Sequence, residues 1–277
     1  MPSVPIPSNT VGDYEAYWVR LQESAQYHPA NRFRYWLISG RLRRYVKPGM
    51  SMLDMGCGHG GLLLRLQADF PAGRFIGCDV SHQVIGHNTA AHPSITFFQA
   101  DVTAQDFVEK ATAATAGRGT FDIVTSSEVI EHVEHDQDLL RNAARVLAPG
   151  GCLILTTQSG PRYRVDFELL HHLRHYHRSA LEHMVRTAGL KIVEAFNCGF
   201  PVLTFQKIAA NIMFDRVMRV AASNQRPSAL VRLVMRIMYD LMRITPKWAG
   251  PQIVIVAMRP LTAEPESAEE TRIEGQR

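Results

Sequence analysis

Acids, glycines and histidines gather in three short stretches of this 277-residue chain. In Leu53-Asp54-Met55-Gly56-Cys57-Gly58-His59-Gly60-Gly61 an apolar run meets closely spaced glycines, and an amphipathic segment, 62–67, follows at once. That order is a strand, a tight turn and a helix start. Glycine suits such a turn because it reaches positive φ and leaves room for a ligand to approach the backbone. The free N–H groups of the helix start then face that ligand. Gly56, Gly58 and Gly61 also fit the dinucleotide pattern G-x-G-x-x-G, a weak signal by itself. Asp54 argues the other way. An acid two residues before the first glycine sits poorly beside a pyrophosphate and suits a ligand carrying an ammonium and a sulfonium group.

The second stretch is Thr125-Ser126-Ser127-Glu128-Val129-Ile130-Glu131-His132-Val133. Two carboxylates and an imidazole can hold a divalent ion with open water positions. If 128–132 starts a helix, Glu128, Glu131 and His132 share one face. The third is His171-His172-Leu173-Arg174-His175-Tyr176-His177. Imidazoles are the usual proton acceptors near neutral pH, so the histidines of these two stretches are candidate bases, His132, His172 and His175 among them. The plainer alternative for the third stretch is loop packing and capping of the helix that follows. Neither a cysteine nor a second ligand segment accompanies it, which argues against zinc.

These residues need a frame. Strands are expected at Ser51–Met55, Arg74–Asp79, 95–99, 121–126, 152–157, Lys191–Cys198 and Gln252–Met258, with helical patterns between the early ones. Such alternation argues for a parallel sheet covered on both faces. Pro149-Gly150-Gly151 reads as a turn before the fifth strand. The division expected is an arm and helical cap over 1–48, a core over 49–200, a helical insertion over 201–248, a last strand over 249–260 and a disordered acidic tail over 261–277. The net charge of +4 is too small to imply nucleic acid. Four widely separated cysteines without a C-x-x-C pair read as reduced thiols of a cytoplasmic protein. The first residues lack the pattern of a signal peptide, and no apolar run approaches the roughly 20 residues of a membrane span.

The stretch 54–60 closely resembles motif I of the class I S-adenosylmethionine-dependent methyltransferases. Three further features extend the resemblance over about residues 28–200: Asp101-Val102 after the third strand, the 125–133 stretch, and Arg145-Val146-Leu147-Ala148-Pro149-Gly150-Gly151. Asp79 ends the second strand, where a carboxylate can accept from ribose hydroxyls, a placement that dehydrogenases share. The ubiquinone-pathway O-methyltransferases resemble the chain further, through Asn31-Arg32-Phe33-Arg34-Tyr35-Trp36-Leu37-Ile38, the 128–132 set and the segment His172, Arg174, His175, Tyr176. The resemblance implies a Rossmann-like, doubly wound α/β sheet of seven strands with an antiparallel last strand. It implies S-adenosyl-L-methionine as cofactor, with Arg34 on its carboxylate. Asp54, Gly56, Cys57 and Gly58 then form the turn, Asp79 and Val80 meet the ribose side, Asp101 and Val102 the adenine, and Ser127 lines the site. It associates Glu128, Glu131 and His132 with magnesium, although many relatives need no metal, and none is favoured here.

The activity expected is methyl transfer to a small, hydrophobic acceptor, with O-methylation of a hydroxyl ahead of C- or N-methylation. A nicotinamide oxidoreductase and a non-catalytic cofactor-binding module are the alternatives from other classes. The insertion has its own signature. Residues 205–220 and 230–244 read as two helices with wide apolar faces and narrow polar stripes. Over 205–244 seven basic residues stand against two acidic, a net +5. Three readings are open: a roof over the active site, a greasy lid in peripheral contact with a membrane, or a homodimer interface.

Overall fold

Seven strands form one sheet in the order β3-β2-β1-β4-β5-β7-β6 in the computed structural model, which describes residues 27–223 and 226–261. The strands are β1 Ser51–Met55, β2 Arg74–Asp79, β3 Thr96–Gln99, β4 Phe121–Ser127, β5 Leu147–Gln158, β6 Lys191–Cys198 and β7 Gln252–Met258. β1 to β5 pair in parallel, and β7 runs antiparallel to both β5 and β6. This is the doubly wound sheet expected, antiparallel last strand included. The helices are α1 Pro29–Leu42, α2 Gly61–Asp69, α3 His82–Ala91, α4 Phe107–Ala113, α5 Asp136–Val146, α6 Arg164–Glu168, α7 Arg178–Thr187, α8 Val202–Ile212, α9 Phe214–Ser223 and α10 Ala229–Arg243. A 3-10 turn spans Ile130–His132. The expectations for residues 1–26 and for the tail beyond 261 lie outside the described residues.

Successive side chains of β1 point to opposite faces, so Leu53 and Met55 enter one buried cluster and Met52 the other. The first cluster includes Phe107, Leu139 and Val146 beneath α4 and α5. The second includes Ile38, Leu42, Leu63 and Leu66 beneath α1 and α2. Truncating a buried leucine such as Leu66 to alanine costs about 2–5 kcal/mol. A third cluster joins Phe33 and Leu37 of α1 to Phe196, Leu203, Tyr239 and Met242, and so ties the insertion to the sheet. Among the described residues no helix is long and apolar enough to cross a membrane.

Two expectations change. The turn at Pro149-Gly150-Gly151 lies inside β5, not before it. Phe121 pairs with Leu147 and Ile123 with Cys152, so the extra residues bulge out of the ladder. Backbone bonds between Gly150, Gly151 and Arg259 hold the bulge in the sheet. The expected helix 205–220 is two helices broken at Met213. The break resets the helical phase and lets Phe214 bury against Val165 and Leu169.

Candidate active site

The glycine turn closes over the carboxyl ends of β1 and β2. Gly56 has φ 75°, and a Cβ there would overlap the Val129 side chain. Four of its amides are bonded within the protein. Gly56 and Cys57 N–H donate to the Cys78 carbonyl at 2.9 and 2.8 Å, Gly58 N–H to Asp79 Oδ2 at 2.9 Å, and Gly60 N–H to the Cys57 carbonyl at 2.9 Å. A phosphate-binding turn presents such amides to its ligand. Here they are engaged internally and two carboxylates stand beside them, which suits a cation better than a pyrophosphate.

Asp54 and Asp79 are both buried. Thr125 Oγ1 donates to Asp54 Oδ1 at 2.7 Å. Burial raises the Asp54 carboxyl to about 7, with the Thr125 bond opposing and the Asp79 charge adding to the rise. Asp79 is also raised by burial, against the amides of Ser81, Gly58 and Val80. Tyr35 of α1 lies on the same turn, since a Cβ at Gly61 would sit 2.8 Å from its hydroxyl. The Cys57 thiol is buried and held well above its ordinary range by that burial, an inert packing group.

Arg34 reaches the site from α1. Its Nη2 donates to Asn31 Oδ1 at 2.6 Å, and Nη1 lies 3.7 Å from Glu128 Oε2. Its Nε is buried with no hydrogen-bond partner among the described residues. An unmet guanidinium N–H fits a ligand carboxylate. With Asp54 for an ammonium and Asp79 for hydroxyls, the donor set fits an amino-acid-bearing nucleoside. The remaining expected contacts are more local. Asp101 Oδ1 accepts from the Thr103 amide and hydroxyl at 2.8 and 2.7 Å. Val102 is buried in the main core. The Val80 carbonyl accepts from Gln99 Nε2 at 3.0 Å, and Ser127 Oγ stands 3.0 Å from Thr156 Oγ1.

Glu128 departs from the helix start expected of it. It has φ 58° and precedes the 3-10 turn, so it does not share a face with Glu131 and His132. Its carboxylate accepts from Gln158 Nε2 and, at 2.9 Å, from Gln252 Nε2. Burial pushes the Glu128 carboxyl up, but Arg34, Gln158, Gln252 and Lys207 together hold it below its ordinary range. Among the described residues the ligating atoms that gather within 4.8 Å are those of Glu131, His132 and His172, and separately of Asp166, His172 and His175. Glu131 accepts from Thr157 Oγ1 at 2.7 Å, and burial, then the Glu128 charge, raise it well above the carboxylate range.

Three of the candidate bases come together. The His132 and His172 rings meet edge to face at 4.8 Å, and His172 Nδ1 lies 3.0 Å from His175 Nε2. His175 Nδ1 lies 3.2 Å from the Gly160 carbonyl, which only accepts. His175 therefore carries its proton on Nδ1, its Nε2 accepts from His172, and His172 keeps Nε2 as a proton acceptor. Burial lowers His132 to about 4 and His172 well below the ordinary imidazole value, with His132, His175, Lys207 and Arg34 adding to the effect at His172. His175 is lowered by burial and then by Lys207, with Asp166 opposing.

Asp166 and Lys207 complete this group, and neither stood out in the sequence. Asp166 is fully buried, its Oδ2 accepting from the Tyr163 amide at 2.8 Å. Lys207 Nζ lies 3.2 Å from Asp166 Oδ1 and donates to Gln158 Oε1 at 3.0 Å. The signal was the polar stripe of α8. Lys207 and Asn211 interrupt an apolar helix at a spacing of four, and Asn211 Oδ1 accepts the Arg164 amide at 3.0 Å. Beside Lys207 is a cavity of about 250 Å³, lined among others by Ser159, Gly160, Tyr163, Phe200 and Pro251.

Residues 30–195 match the methyltransferase domain family. The ubiquinone biosynthesis O-methyltransferase of Rhizobium etli is 36% identical over 124 residues, covering 43% of this chain and 46% of that protein. Phosphoethanolamine N-methyltransferase 3 of Arabidopsis thaliana is 29% identical over 159 residues, covering 54% of this chain and 30% of that protein. The chain spans about half or less of the length of these curated relatives. Among solved structures, phosphoethanolamine N-methyltransferase 2 of Haemonchus contortus in complex with S-adenosyl-L-methionine aligns with TM-score 0.52 at 17% identity, covering 88% of this chain and 60% of that one. The (4+2)-cyclase SpnF aligns with TM-score 0.53 at 18% identity, covering 82% and 81%. The two structural likenesses show the fold. The sequence match shows the family: the chain belongs to the methyltransferase domain family, as a class I S-adenosylmethionine-dependent methyltransferase domain.

Proposed function

We propose that the protein transfers a methyl group from S-adenosyl-L-methionine to a hydroxyl of a small, hydrophobic metabolite. Fold alone does not fix the reaction. The observation that carries this reading is the ordered pair His172–His175, whose His175 end meets the carbonyl of Gly160 in the cavity wall, with an acceptor nitrogen left on His172. The cofactor supplies a methyl group on a sulfonium, a good leaving group for in-line displacement, so alignment and desolvation provide much of the acceleration.

The residues of the chain divide the remaining work. Arg34 binds the cofactor carboxylate, Asp54 its ammonium group and Asp79 the ribose hydroxyls. Asp101 is proposed for the adenine amino group through the carboxylate oxygen that Thr103 does not use. His172 Nε2 takes the proton of the acceptor hydroxyl. A hydroxyl turns strongly acidic as its oxygen bonds to the methyl group, so an imidazole of low basicity suffices, and burial keeps it unprotonated at neutral pH. His175 orients His172, and the Asp166 carboxylate, 4.0 Å from both rings, stabilises the imidazolium that forms. A carboxyl as buried as Glu131 serves as a neutral hydrogen-bond partner near His132, and the proton transfer to His172 requires no metal.

The test is a mass-resolved assay of the purified chain with S-adenosyl-L-methionine and a panel of phenols, aliphatic alcohols, amines and active-methylene compounds. Methylated phenol or alcohol supports the reading. Product only from amines or carbon acids would replace oxygen with nitrogen or carbon. No product with any class, despite cofactor binding, would turn the reading towards a binding module.

A further inference from the structure

The outer face of α10 is apolar where a surface helix is ordinarily polar. Leu230, Leu233, Val234, Ile237, Leu241 and Ile244 recur at spacings of three and four, and all are exposed. Leu230 is 71% exposed, Ile244 81% and Trp248, just beyond the helix, 74%. The opposite face is the one that packs: Tyr239 and Met242 are buried against α1 and the sheet. The helix thus has two apolar faces, and one of them meets no described part of the protein. A contiguous exposed stripe of this kind marks an interaction surface.

The charges around the stripe say what it meets. Exposed Arg236, Arg243 and Lys247 flank it, with Asp240 the acid on the same helix. Arg236 and Arg243 share that one acid, at 3.8 and 3.6 Å. Arg216 and Arg219 of α9 are exposed too. The segment 205–244 carries a net +5 against +4 for the whole chain, and +4 without Lys207, whose ammonium faces Asp166, so positive charge is concentrated here. Aliphatic side chains with a tryptophan at one end and arginines alongside are the composition of a helix lying in a bilayer interface. Anionic headgroups complement the arginines, and the acyl boundary takes the stripe.

We infer that α10 docks the protein on an anionic lipid surface through Leu230, Leu233, Val234, Ile237, Leu241 and Ile244, without crossing it. The helix packs on α8, which brings Lys207 and Thr204 to the cavity wall. Docking would therefore set that cavity close to the lipid. The inference stands on the stripe and its charges, independently of the reaction proposed above.

Co-sedimentation of the full chain with vesicles of phosphatidylcholine alone, or with about a third phosphatidylglycerol, tests it. The expected result is binding to the anionic vesicles at least tenfold tighter than to the neutral ones, weakening severalfold as salt rises. The double variant Leu233→Glu/Ile237→Glu is expected to lose at least tenfold in vesicle affinity. Both positions are exposed, so its melting midpoint and its shift with S-adenosylhomocysteine should match the parent, which separates lost docking from lost folding or a lost cofactor site. Three outcomes would each overturn the inference: no sedimentation with anionic vesicles, equal binding by parent and variant, or a concentration-dependent dimer, without vesicle binding, that the same substitutions dissociate. The last would assign the stripe to a second copy of the chain.

Discussion

Asp54 carries the sharpest quantitative consequence of the cofactor site. Its carboxyl is raised from 3.8 to about 7 by burial, with the Thr125 bond opposing and Asp79 adding to the rise. The native protein therefore holds this proton where the unfolded chain has released it. Stability from this group is fully present below the unfolded value and is lost as pH rises through about 7, an upper bound on the order of 4 kcal/mol. A cationic ligand reverses the preference, because its ammonium group favours the ionised carboxylate. If only the ionised form binds, apparent affinity scales with the ionised fraction, about half at pH 7 and about one hundredth at pH 5. Affinity for S-adenosylhomocysteine should then fall by up to about 50-fold from pH 7 to 5, while the ligand ammonium stays protonated throughout. Asp54→Asn should abolish that pH dependence, weaken binding at pH 8 and raise the melting midpoint of the ligand-free protein at pH 8. Calorimetric titration across pH 5–8, with thermal melts of both proteins, measures all three. Wild-type affinity that is flat across this range, or an asparagine variant with the same slope, would refute the assignment of Asp54 to the ammonium group.

Other consequences concern the same residues. Lys207→Met leaves the buried Asp166 carboxylate unpaired and should cost about 3–5 kcal/mol. Asp166→Asn added to it should recover part of that loss, a coupling that denaturant melts of the four proteins will show or deny. His172→Ala should lower kcat by about 10²–10⁴-fold with S-adenosylhomocysteine affinity unchanged. Because burial keeps His172 neutral well below its ordinary titration range, the kcat of the parent at saturating cofactor should show no titration near pH 6.5. Gly56→Ala should destabilise by about 2–4 kcal/mol, since alanine at that positive φ is strained and its Cβ meets Val129. A midpoint within a degree of the parent would refute that.

The parts legible in the sequence were those set by local pattern. The apolar runs of β1, β2, β6 and β7 predict strands with the observed bounds, because each is bracketed by glycine, proline or polar residues within a few positions. The glycine turn was legible for the same reason, whereas Arg34 was singled out by the family resemblance alone. What escaped depends on contacts distant in sequence. Glu128 adopts a left-handed backbone because its carboxylate is drawn to Gln158 and Gln252, residues 30 and 124 positions away. No helical spacing rule anticipates that. The helix α6, five residues long, is too short to show a period, so Asp166 passed unnoticed between two segments. Lys207 belongs to a narrow polar stripe, and the spacing alone does not show that this one member meets a buried carboxylate while Arg216 and Arg219 face solvent. The exposed side of α10 shows the converse, an apolar face that the described residues leave uncovered.

Isothermal titration of the full chain with S-adenosylhomocysteine and, separately, with NADH bears most directly on the cofactor site. Asp54, the unmet Arg34 Nε–H and the internally bonded turn amides predict a saturable one-to-one isotherm with S-adenosylhomocysteine and none with NADH. Saturable binding of NADH without binding of S-adenosylhomocysteine would make 56–61 a dinucleotide turn and contradict the reading of the site.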